Sequence, residues 1–69
     1  MELNKEQLIT ILYTNYRGET AHRHIIPRKI HFASTKWHPE SQWLLNAYDC
    51  DRKAERSFAM RDIAEWKNN

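Results

Sequence analysis

Apolar and polar residues alternate along much of this chain, and alternation at period two predicts short, half-buried strands. The strongest run is Trp43-Leu44-Leu45-Asn46-Ala47-Tyr48-Asp49, with Trp43, Leu45 and Ala47 on one side and Leu44, Asn46 and Tyr48 on the other. Aromatic and branched side chains suit a pleated surface. A tryptophan can bury about 150–250 Å², so Trp43 is expected at the centre of the core. Upstream, residues 8–16 are dense in β-branched and aromatic side chains, with Ile9, Ile11 and Tyr13 on one face and Leu12, Thr14 and Tyr16 on the other. A first long strand is expected there. The competing element is a helix through residues 6–12, because Leu8, Ile11 and Leu12 also fit a period of about 3.6.

Punctuation divides the remainder. Arg17-Gly18-Glu19 holds the only glycine and is the best hairpin signal. A second strand then covers residues 20–26, Pro27 marks a bulge or an edge position, and the extended pattern resumes over 28–32. Residues 33–41 read as a loop, with Ser34, Thr35, His38-Pro39 and Glu40 as turn chemistry and Trp37 as an unusual large aromatic within it. Asp49-Cys50-Asp51-Arg52-Lys53 is a polar turn. Residues 54–60 return as a strand carrying Arg56, Phe58 and Met60 on one face, and 61–66 form a closing strand or a helical turn. The polar lead at 2–7 suits a helical turn or an extended segment, with Asn4 and Gln7 as a loose capping box. The last residues, 67–69, are expected to fray. Four or five short strands in meander order on so short a chain point to an all-β domain bent into a small barrel, since closure removes exposed edges.

Length narrows the picture to one domain, residues 1–69 with a core over about 8–66. A chain near this size buries only about 60% of its unfolded surface, so dimerisation or a ligand would add needed stability. Its 41% hydrophobic content excludes the composition of a disordered chain. One cysteine, Cys50, rules out an internal disulfide and a cysteine-only zinc site. No apolar run approaches the roughly 18 residues of a membrane span and no signal peptide opens the chain. The expectation is a soluble cytoplasmic protein without membrane contact.

Net charge is only +2, but its distribution is skewed. Between positions 17 and 37 stand Arg17, Arg23, Arg28, Lys29 and Lys36 with His22, His24 and His31, against the single acid Glu19. Acids gather later, at Glu40, Asp49, Asp51, Glu55, Asp62 and Glu65. Such asymmetry predicts a basic surface that meets an anion.

Tyr13 and Tyr16, Gly18-Glu19, Arg23-x-x-x-Pro27, Trp43-Leu44-Leu45-x-Ala47-Tyr48-Asp49, Arg56-x-Phe58 and Asp62-Ile63 together resemble the WYL domain family, whose bacterial members commonly follow a winged helix in transcription regulators. The resemblance runs over residues 9–63. It implies an Sm-like five-stranded barrel that binds a ligand, nucleic acid or a nucleotide on its basic face. Two features depart from the family. Leu44 replaces the middle tyrosine of the namesake tripeptide, and no helix-turn-helix is expected within these 69 residues. The His38-Pro39-Glu40-Ser41-Gln42 lead is similar to that of small stand-alone versions in phage and bacterial genomes.

The candidate site residues follow. Arg23 and Arg56 are expected on central strands beside Ile25 and Phe58, where an arginine must pair with a carboxylate or meet an anion. An ion pair with Asp49 or Glu55 is the competing account; the resemblance favours phosphate. Arg28, Lys29 and Lys36 add positive field, while Trp37, Tyr13 and His24 offer stacking or hydrogen bonds, in the manner of single-strand platforms. His22-x-His24 has a metal-ligand spacing but lacks convincing further ligands, so no metal or other cofactor is expected. No phosphate loop or nucleophile elbow points to an enzyme. The expected function is therefore a non-enzymatic, regulatory binding module for single-stranded nucleic acid or a nucleotide-type anion. The alternatives are a homo-oligomeric or protein-docking module built on Phe32, Trp37 and Trp66, or an oligomer that sequesters a small signalling nucleotide.

Overall fold

A computed structural model of the chain describes residues 7–36 and 39–68. It contains β1 (Ile9–Thr14), β2 (Thr20–Ala33), β3 (Gln42–Asp49), β4 (Ala54–Ala59), a 3-10 turn (Met60–Asp62) and β5 (Ile63–Asn68). The period-two strand expected within residues 8–16 is present as β1, and the face shared by Ile9, Ile11 and Tyr13 is the buried one. The closing segment is both of the alternatives in succession, a short 3-10 turn and then a strand. Asn4, the expected cap, lies outside the described residues.

All five strands join one antiparallel sheet in the order β4-β3-β2-β1-β5. β2 is long because its two halves serve different neighbours. Residues Thr20 to Ile25 pair with β1, and Ile25 to Ala33 pair with β3. Pro27 falls just past the end of the β1 ladder, where its missing N–H costs no hydrogen bond on that side. The register shifts between Pro27 and Lys29, leaving Arg28 as the extra residue of a bulge.

The sheet does not close into the expected barrel; among the described residues β4 and β5 are its two edges. It is nevertheless forced to curl. Five flat strands would hold their outer members about 19 Å apart at about 4.8 Å per step. Ala59 at the end of β4 and Ile63 at the start of β5 are joined through only the 3-10 turn, a reach of at most about 14 Å. One corner of each edge is therefore drawn toward the other.

Tyr13 fastens that curl. From β1 it meets Phe58 of β4 edge to face, with ring centroids 4.8 Å apart. Its hydroxyl accepts a hydrogen bond from the buried Ala59 N–H at 3.3 Å. β1 and β4 are not neighbours in the sheet, so this contact spans the inside of the curve. Around it lie Ile9, Ile11, Ile25, Leu45, Ala47 and Phe58, with Ile30, Met60 and Ile63 packed at the margin. Trp43 is not the centre of this core. It is 56% exposed because it pairs with Phe32 at the end of the β2–β3 ribbon, beyond the Leu44–Ala59 pair where the β4 ladder begins. Phe58, Ile11, Ile25 and Leu45 supply the buried volume instead.

Tyr13→Phe is expected to leave the Ala59 N–H without an acceptor and to lower stability by about 1–3 kcal/mol in urea unfolding. Burial pushes the Tyr13 phenol above its ordinary value of 10.0. The unfolded chain therefore releases this proton first, and stability that is whole below pH 10.0 falls as pH rises toward the folded value. Tyr13→Phe removes that part of the alkaline loss, which urea midpoints across pH will show.

Candidate functional site

The site is built on the β3–β4 turn. Asp49, fully buried at the end of β3, uses one carboxylate oxygen to accept the backbone N–H groups of Asp51 at 3.0 Å and Arg52 at 3.2 Å. Aspartate is suited to this role because its short side chain reaches the backbone two residues on. Lys53, with φ of 56°, completes the reversal in the left-handed region. The other oxygen of Asp49 accepts from Arg23 Nη1 at 3.2 Å. Arg23 is itself buried, so this ion pair is the internal pairing weighed as the competing account.

A second set of bonds clamps the turn to β2. The Cys50 N–H donates to the His24 carbonyl at 2.8 Å, and the His24 N–H donates to Asp51 Oδ2 at 3.1 Å. His24 Nδ1 lies 3.2 Å from that same oxygen. The His24 N–H and then its ring hold the Asp51 carboxyl below its ordinary value.

At the opposite wall, the β1–β2 hairpin is shaped by Asn15. Its side-chain oxygen accepts from the N–H groups of Arg17 and Glu19, each at 2.9 Å. Gly18 takes a φ of 82°, the left-handed conformation that glycine adopts without strain. The Arg17 guanidinium sits 5.6 Å from the Tyr16 ring centroid and bonds its hydroxyl.

Between turn and hairpin opens a cleft of about 650 Å³ that also reaches round the β4 edge. Four arginines line it, Arg17, Arg23, Arg52 and Arg56, against two glutamates, Glu19 and Glu55. Tyr13, Tyr16 and Phe58 supply ring surface, and Asn46 and Ser57 polar groups. Asn46 is already engaged, with its oxygen accepting from Ser57 Oγ at 2.9 Å and lying 3.1 Å from His31 Nε2. Arg56 stands exposed on β4, an edge strand rather than the expected central one, across from the small Ala47. It makes no ion pair among the described residues.

Of the sequence-predicted residues, the structure thus brings Arg23, Arg56 and Tyr13 to one cleft. Tyr13 serves there as a buried strut more than as a stacking ring. Arg28 does not line the cleft and is paired to Glu55 at 3.3 Å, while His24 is engaged with Asp51. Lys29 and Lys36 are exposed and do not line the cleft. Trp37 lies outside the described residues. Sequence reasoning missed Arg52. The signal for it was Asp49-x-Asp51-Arg52, in which an aspartate ending a strand can cap its own turn and fix the residue three positions on. Among the described residues, no group of three His, Cys, Asp or Glu could hold a metal ion, and no helix is long and apolar enough to cross a membrane.

Asp49→Asn is expected to strand the buried Arg23 charge and to cost about 3–5 kcal/mol in thermal or urea unfolding. Arg23→Met/Asp49→Asn keeps an acceptor for the turn but removes the stranded charge, and should lose clearly less. Comparison with known proteins adds no relationship: no family model matches the chain, and no curated protein matches it.

Proposed function

We propose that the cleft binds an anionic ligand, single-stranded nucleic acid or a nucleotide-type phosphate, without altering it, and that the protein works as a regulatory binding module. The observation that carries this reading is Arg56. It is an arginine in a ring-lined cleft with no carboxylate partner among the described residues, beside an Arg23 already held in place. A guanidinium takes phosphate through two parallel N–H bonds, and neighbouring rings offer bases a stacking surface worth about 1–3 kcal/mol each. Arg17 beside Tyr16 and Arg52 at the turn supply further positive charge at the rim.

An Sm-like arrangement of the WYL kind belongs to the same proposal. The strand order and the short turn that ties the two edge strands support it.

Because Arg23 is tied to Asp49, Arg56 is the residue to change. Arg56→Glu is expected to fold normally and to weaken binding of a fluorescent single-stranded oligonucleotide about tenfold or more. The dependence of log affinity on log salt should flatten by about 0.7 for each phosphate no longer neutralised. Unchanged affinity with an unchanged slope would remove the cleft from consideration.

A further inference from the structure

At the far end of the β2–β3 ribbon the molecule carries a second, chemically different surface. Phe32 and Trp43 form a cross-strand pair, edge to face at 71° with centroids 5.4 Å apart. Each is more than half exposed. With Met60, Ser41, Gln42 and Arg61 they line a shallow groove of about 320 Å³. None of these residues lines the arginine-rich cleft. Two large adjacent aromatics held open to water are the composition of an interface core.

The charges at the rim say what fits. Among the described residues, Arg61 is the only charged one lining the groove, and its guanidinium lies 3.7 Å from Glu40, an exposed and loosely held pair. A partner of one sign would face a like charge at either Glu40 or Arg61. A second copy related by a twofold axis can set each Glu40 opposite the other copy's Arg61 with the aromatic pairs between them, the self-matching pattern of an isologous contact.

We infer that the Phe32–Trp43 groove is a homodimer interface, closed by reciprocal Glu40–Arg61 pairs between two copies of this chain. The inference stands apart from the anion-binding reading, since it uses different residues and leaves Arg56 open.

Sedimentation equilibrium over a wide concentration range tests it. The wild-type chain is expected to show a monomer–dimer equilibrium, and Trp43→Glu to weaken association about thirtyfold or more, as removal of a central aromatic anchor does. Because Trp43→Glu also touches a strand, charge variants provide the decisive arm. Glu40→Arg carries two positive charges at the rim and Arg61→Glu two negative ones, so each alone should be monomeric while an equimolar mixture forms a heterodimer. A wild-type chain that stays monomeric throughout overturns the inference. Association that ignores Trp43→Glu, with no heterodimer in the mixture, overturns it equally.

Discussion

A carboxylate without solvent exposure, Asp49, is the constraint on which this small sheet depends. Burying an ionised group costs several kcal/mol unless a countercharge and hydrogen bonds replace the lost water. Asp49 has both, in the Arg23 guanidinium and two turn N–H groups. The carboxylate therefore decides three things together. It ends β3, it shapes the turn that starts β4, and it fixes Arg23 in the floor of the cleft. With Arg23 neutralised internally, Arg56 lines the same cleft with no ion pair among the described residues.

The curl of the sheet is the second constraint, and it follows from chain connectivity. A short turn joins strands that lie at opposite edges of the sheet, so the inner face must become concave. Tyr13 holds that concavity by touching both Phe58 and the Ala59 N–H. The hollow that remains, between the Asn15-shaped hairpin and the Asp49-shaped turn, is the cleft. Its lining is set by which residues share the inner face, together with those that flank the β4 edge.

Much of this was legible as pattern. Period-two alternation placed β1, β3 and β4. The single glycine placed the first hairpin, and Pro27 announced the bulge. Arg23 and Arg56 stood out because a charge amid apolar neighbours demands a partner. What alternation could not supply was position within the sheet. Trp43 has the spacing of a core residue, yet it falls beyond the end of the β4 ladder and is left exposed. Arg28, Lys29 and His24 read as members of one basic surface, but strand parity and the bulge turn them away from the cleft, and Glu55 and Asp51 occupy two of them. Pairing registers, which are set by residues distant in sequence, decide these cases. The Arg23–Asp49 bond joins residues 26 apart, a separation that no local pattern encodes.

The two ends of the molecule thus differ in kind: one is cationic and ring-lined, the other apolar with a balanced rim. Asp49 satisfies Arg23, and Arg56 is the residue proposed to meet an anion. The most direct measurement follows the side-chain Nε–Hε resonances of Arg17, Arg23, Arg52 and Arg56 by NMR during titration with a short single-stranded oligonucleotide. The Arg56 resonance is expected to move and saturate while that of Arg23 holds its place, pinned by Asp49. Saturable shifts of Arg17 or Arg52 with Arg56 unmoved, or no shift in any of the four, would contradict that assignment.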